Sequence, residues 1–175
     1  SIYDSNVWGR CEAAYLGWSG DASVRERASS GGILTSLLCY LLDAGEIDAV
    51  IQVGPSSDNP LFSEPKISRT PAEIISNCGS RYVSCNGLGR IDELLNTDMT
   101  FAVVGRPCEI RAVRLLTDRD ERLASRIKCL LSFFCMGVPS RNAVRRLDKQ
   151  LNPEGHQVIA LRYRGDGWPG FATET

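Results

Sequence analysis

The sequence predicts an α/β fold, a mainly parallel sheet with helices on both faces. Short β-branched apolar runs alternate with longer helix-like segments along the whole chain. The runs at 47–53 and 101–104 each close on a glycine. The helical stretches between strands are long enough for β-α-β crossovers.

Ala13–Trp18 is a short strand candidate. Ser30 precedes a helix pattern over Gly31–Ala44, which Gly45 closes at the usual C-terminal position. Ile47–Val53, bounded by Gly54 and Pro55, reads as a buried strand, and Pro55–Pro60 as a polar turn. Lys66–Arg69 is a further strand candidate. Thr70-Pro71-Ala72-Glu73 is a capping box with proline at the first helical position, opening a helix to about Asn77.

Gly79–Cys85 reads as a loop or short strand, and Gly89–Leu95 as a short helix. Phe101–Val104 is an apolar strand, and Pro107 starts a helix through about Leu116. Asp118–Arg126 reads as a solvated helical face, Ile127–Phe134 as a buried strand, and Pro139 as the start of a helix to Leu151. Val158–Arg164 has strand character, and Gly165–Gly170 is a turn. In such sheets ligands sit beyond the carboxyl ends of strands. That rule selects the turns after Val104 and Phe134, each of which carries a cysteine.

The 175 residues suit one domain or a domain with a small appendage. A net charge of −1 without a concentrated basic patch excludes a nucleic-acid binder. No apolar run approaches the ~18 residues needed to cross a bilayer, and no secretory signal pattern opens the chain. A cytoplasmic protein is expected. The chain begins at Ser1 without methionine, which suggests a fragment of a longer protein. Seven cysteines without a C-x-x-C pair favour metal, cluster or redox roles over disulfides, zinc ribbons or thioredoxin-type centres. Cys39 and Cys129 read as small buried apolar residues.

Five segments carry chemistry. Ala28-Ser29-Ser30-Gly31-Gly32 opens a helix, where hydroxyls and free amides suit a phosphate; an ordinary serine cap with small packing residues is the alternative. No lysine follows the glycines, and no dinucleotide fingerprint is present. Gly79-Ser80-Arg81-Tyr82 combines a free backbone, two anion-binding side chains and a stacking ring, or is a plain turn.

Val104-Gly105-Arg106-Pro107-Cys108 places a thiol in the first turn of a helix, where thiolate is favoured. Cys108 and Arg114 share the Cys-x5-Arg spacing of protein tyrosine phosphatases. The intervening residues are helical and include Glu109 in place of a glycine-rich cradle, which argues against that chemistry. Phe133-Phe134-Cys135-Met136-Gly137 follows a strand. Cys108 and Cys135 are therefore half of a four-cysteine iron–sulfur site on one rim, or two unconnected thiols. Arg162–Gly170 is a basic, aromatic strand running into a glycine-rich turn, fit to close over a ring or a phosphate, or simply a turn pinned by Trp168. His156, the single histidine, reads as a surface loop residue.

Together the stretches SSGGILTSLLCYLLDAGEIDAVIQV, GSRYVSC, FAVVGRPCEIRAVRLL, SFFCMGVPS and RYRGDGWPG resemble the beta subunit family of coenzyme F420 (deazaflavin) hydrogenases and dehydrogenases. That family includes a formate dehydrogenase beta subunit and plant 7-hydroxymethyl chlorophyll a reductase. The matching stretches lie between Arg25 and Gly170, in the family's order.

The resemblance implies residues 1–175 as the FAD-binding α/β domain of an iron–sulfur flavoprotein with a 4Fe-4S cluster. FAD would trade electrons with a redox carrier, a deazaflavin coenzyme or ferredoxin, within a complex with other redox subunits. Ser29, Ser30, Gly31, Gly32 and Thr35 would hold FAD phosphates or the ring edge. Gly79, Ser80, Arg81 and Tyr82 would complete the cradle, with Gly105 and Pro107 beside it. Cys108 and Cys135 would be cluster ligands, with Cys78 and Cys85 as further candidates. The sequence departs from the family in lacking a cysteine-rich ferredoxin-like segment and in carrying Arg106 where a small polar residue is common. A non-catalytic relay or assembly subunit, and a thiol enzyme using Cys108, remain alternatives.

Overall fold

A computed structural model describes residues 12–164 and 173–174 of the chain. Its centre is a four-stranded sheet of β1 (Ala49–Pro55), β2 (Ser63–Ser68), β3 (Phe101–Gly105) and β4 (Ile127–Ser132), ordered β2-β1-β3-β4. β1, β3 and β4 run parallel, with Ile51 beside Val103 and Gly105 beside Ser132. β2 returns antiparallel along β1, pairing Ile67 with Ile51. The sheet is thus mainly parallel with an antiparallel edge.

Alternation along the strands sends side chains to two faces. Val50 and Ala102 pack with Leu38 of α2 (Ile33–Asp43) and Ile74 of α3 (Pro71–Ser76), α1 being Ala22–Arg27. Ala49, Ile51, Phe101 and Val103 pack on the other face with Leu94 of α4 (Ile91–Leu95) and Ile110 of α5 (Pro107–Thr117). Phe101, Ile51 and Val103 are completely buried, each contributing about 1.5–3 kcal/mol from apolar burial. Helices therefore cover both faces.

A separate cluster joins Leu61, Val83 and Leu161 to Val144 of α7 (Arg141–Leu151), α6 being Glu121–Arg126. It docks the chain around β5 (Leu161–Arg162) onto the β1–β2 loop. β5 pairs antiparallel with β6 (Thr173–Glu174).

The expected capping box forms: Glu73 N–H donates to Thr70 Oγ1 at 3.2 Å, and Thr70 N–H to Glu73 Oε2 at 3.2 Å. Other boundaries move. Residues 13–18 form no strand; Tyr15 and Leu16 are almost fully exposed, and among the described residues no strand pairs with this segment. The helix expected from Gly31 starts at Ile33, because Ser30, Gly31 and Gly32 hold φ of 52°, 74° and 77°, outside the helical region. β4 ends at Ser132 rather than Phe134. α7 begins at Arg141, capped by Ser140, whose hydroxyl accepts from Ala143 N–H at 3.3 Å. The expected strand over Val158–Arg164 contracts to β5. The turn at Gly165–Gly170 lies outside the described residues.

Candidate functional site

Two loci emerge. The first is a cleft of about 330 Å³, at the small end of ligand pockets. Asp21 caps α1 through Ser23 N–H at 2.8 Å. After Arg27 the backbone turns extended at Ser29 (φ −89°, ψ 155°) and carries that residue into the cleft. From the opposite side Gly79, at φ +97°, brings its backbone against Arg27; an added Cβ would lie 3.3 Å from the Arg27 carbonyl oxygen. This approach sets the Ser29 and Ser80 hydroxyl oxygens 2.6 Å apart. The third wall is β5 and its flanks, with Arg162 and Arg164.

Among the described residues four arginines line the cleft, Arg27, Arg81, Arg162 and Arg164, and no aspartate or glutamate does. They differ in freedom. Arg81 is a structural clamp. Its Nε donates to Ser63 Oγ at 3.0 Å, its Nη1 to the Leu161 carbonyl at 3.1 Å, and its Nη2 to the Pro60 and Phe62 carbonyls at 2.7 and 2.8 Å. The sequence expectation of an anion-binding Arg81 meets a guanidinium already engaged with its own chain.

Arg162 makes one such bond, to the Glu26 carbonyl at 3.0 Å. Arg164 donates twice to the Tyr82 phenol oxygen, at 3.1 and 2.8 Å, and the Tyr82 ring meets Tyr163 edge-on at 5.4 Å. Burial pushes the Cys78 thiol up in pKa, against a smaller opposing effect of Arg27 and Arg162.

The structure thus brings Ser29, Gly79, Ser80 and Arg81 together, with Tyr82 behind Arg164. Ser30, Gly31, Gly32 and Thr35 do not line the cleft. A Cβ on Gly32 would lie 2.9 Å from Val24 Cγ1, and one on Gly31 3.1 Å from Trp18 Cβ. The Gly31 carbonyl accepts from Ser19 N–H at 2.7 Å. These glycines admit residues of this chain. Sequence reasoning missed Arg27, at the end of a short capped helix; its signal was the last-turn position beside the serines.

The second locus is the carboxyl rim of β3 and β4. Gly105 ends β3, Pro107 is the first residue of α5, and Cys108 is exposed in its first turn. Cys135, also exposed, follows β4. Glu109 fastens this rim. Its carboxylate accepts from Arg106 N–H at 2.9 Å and from Arg106 Nη2 at 2.5 Å. The 85–87 loop lies on the same turn: Arg106 Nη2 donates to the Cys85 carbonyl at 3.3 Å, and a Cβ on Gly87 would lie 2.8 Å from Glu109 Oε1. Burial works to raise the Glu109 carboxyl, but the hydrogen bonds and charge of Arg106 hold it below its ordinary value. Burial and then Glu109 push the Cys85 thiol up.

Cys85 therefore neighbours the Cys108 turn, whereas Cys78 belongs to the cleft. Among the described residues no three Cys, His, Asp or Glu side chains converge as metal ligands. Cys39 and Cys129 pack against the core. His156 is exposed and bonded to Glu154 at 2.8 Å. No described helix is long and apolar enough to cross a membrane.

Two family descriptions match successive parts of the chain. Residues 14–92 match the family described as coenzyme F420 hydrogenase/dehydrogenase, beta subunit N-term, and residues 98–175 match its C terminus. Coenzyme F420 hydrogenase subunit beta from Methanosarcina barkeri is 29% identical over 67% of this chain and 42% of its own length. F420-dependent formate dehydrogenase 1 subunit beta from Methanococcus maripaludis is 26% identical over 76% of this chain and 34% of its own length. The chain thus spans less than half the length of these relatives. A chain of the F420-reducing NiFe hydrogenase complex from Methanosarcina barkeri shares the fold, with a TM-score of 0.70 and 22% identity over 90% of this chain and 58% of that one.

Proposed function

The chain belongs to the coenzyme F420 hydrogenase/dehydrogenase beta subunit family, and from that premise we propose that it is the FAD-binding α/β part of a larger oxidoreductase. The observation that carries this reading is the cleft: two serine hydroxyls in contact, a positive-φ glycine and three guanidinium groups beyond the engaged Arg81, with no opposing carboxylate among the described residues. That donor set fits the phosphates of a nucleotide. Bound FAD would supply the hydride and single-electron chemistry.

The residues of the chain bind and orient. Ser29 and Ser80 present hydroxyls to a phosphate oxygen. Arg27, Arg162 and Arg164 neutralise its charge, while Arg81 holds the wall on which they stand. Burying these guanidinium groups against an anion also excludes water from the cleft.

The thiol rim fits a four-iron cluster less well, since the described residues supply no third converging ligand. Cys108 and Cys135 stay proposed ligands that require others from elsewhere, and no electron step is derived through them. The proposed partner is a redox carrier, a deazaflavin coenzyme or ferredoxin, with other redox subunits in the same complex and a cytoplasmic setting. A second reading is a non-catalytic electron-relay or assembly subunit of a larger redox complex, in keeping with the hydrogenase complex whose chain shares the fold.

The test is a titration of FAD into the purified chain, followed by quenching of flavin fluorescence. The reading expects binding that weakens tenfold or more in Arg27→Gln and Arg162→Gln, as loss of a charge-assisted bond of about 1.5–3 kcal/mol requires. Affinity unchanged by both substitutions removes the cleft as the FAD site.

A further inference from the structure

Among the described residues, the side of the sheet remote from β2 ends in an unpaired strand edge. β4 is the last strand, and among the described residues nothing pairs with its outer side. Its residues are half-buried or exposed throughout, unlike those of β3. Alternate N–H and C=O groups of such a strand point outward and bind a further strand readily.

A groove of about 240 Å³ runs beside this edge, between β4 and the ends of α5 and α6. Arg114 and Lys128 line it against the single carboxylate of Asp118. Leu115 and Leu116, which follow Arg114 in α5, are 52% and 50% exposed.

We propose that this edge is a docking site for an extended segment of a partner protein that carries acidic side chains and pairs with β4 as a fifth strand. Main-chain pairing would supply affinity, and Arg114 and Lys128 would select the segment by charge. Lys128, standing on the edge itself, also opposes indiscriminate strand addition. A second copy of this chain is the poorer occupant, because a two-fold contact sets the basic groove against its own image.

The probes are a labelled eight-residue peptide alternating valine and glutamate, and its valine–lysine counterpart, each added to the full chain. Fluorescence anisotropy reads affinity, and hydrogen–deuterium exchange reads protection of residues 127–132. The glutamate peptide is expected to bind at least tenfold more tightly, to slow exchange at 127–132, and to lose that advantage in Lys128→Glu. The substitution is at an exposed side chain, and its melting temperature checks that the fold survives. Equal affinity for the two peptides overturns the proposal, as does protection elsewhere. Protection at 127–132 that rises with chain concentration alone also overturns it, in favour of a second copy.

Discussion

The hydroxyl oxygens of Ser29 and Ser80 lie 2.6 Å apart across 51 positions of sequence. This contact joins the segment leaving α1 to the Gly79 turn and so defines the mouth of the arginine-lined cleft. Ser29→Ala and Ser80→Ala are each expected to cost about 0.5–1.5 kcal/mol of stability, the usual worth of one hydrogen bond. The double substitution should cost less than the two single losses added, since both remove the same bond. Urea unfolding of the four proteins measures this; strict additivity would mean the hydroxyls do not interact.

Arg81 holds four hydrogen bonds to three carbonyls and one serine hydroxyl. Arg81→Met is therefore expected to destabilise the chain by at least about 3 kcal/mol, because several half-buried acceptors lose their donor together. Arg81→Lys should recover little, since an ammonium cannot reproduce the planar fork. Thermal unfolding distinguishes this from a ligand-binding role: a purely ligand-binding Arg81 would leave the melting temperature of the free protein unchanged.

Gly32 and Gly79 both have positive φ but should respond differently to alanine. At Gly32 the new Cβ would meet Val24 Cγ1 at 2.9 Å and the Val24 carbonyl at 3.2 Å. Backbone strain and a clash then act together, and a loss of more than about 2 kcal/mol is expected. At Gly79 the nearest atom, the Arg27 carbonyl oxygen, would lie at 3.3 Å. There the strain dominates, at about 1–2 kcal/mol. Gly79→Ala should also weaken FAD binding by shifting Ser80, whereas Gly32→Ala should leave the affinity of the folded fraction intact. Chemical unfolding and FAD titration of the two variants check both halves.

Glu109 gives the chain an acid-sensitive contact. Arg106 holds its carboxyl below the ordinary value of 4.5 in the folded chain. A group whose pKa is depressed on folding stabilises the protein above its unfolded pKa and loses that contribution as pH falls through the folded value. Glu109→Gln should therefore cost about 1 kcal/mol or more at pH 7. The difference from the parent should shrink steadily below about pH 4.5. Urea midpoints from pH 7 to pH 3 test this, and a difference independent of pH would rule out the charged pair as its source.

Features that depend on neighbours along the chain were readable without coordinates. Thr70 and Glu73 form their capping box because both partners lie within one helical turn. The β-branched run at 47–53 and the apolar run at 101–104 become buried strands because alternation and burial are written in adjacent residues. The same local logic placed Pro107 at the start of α5 and the two rim cysteines after β3 and β4.

Features that depend on distant segments were not readable. Arg81 reaches Leu161 across 80 positions, and no local pattern distinguishes a clamping arginine from one offered to a ligand. Gly31 and Gly32 resemble a phosphate loop in spacing, yet the atoms they admit belong to Trp18 and Val24. The antiparallel return of β2, the pairing of Ser29 with Ser80 and the position of β4 at the end of the described sheet arise only when the whole chain path brings some segments together and leaves others apart. Local backbone preferences act over a few residues, whereas the cleft and the edge are fixed by packing across the molecule.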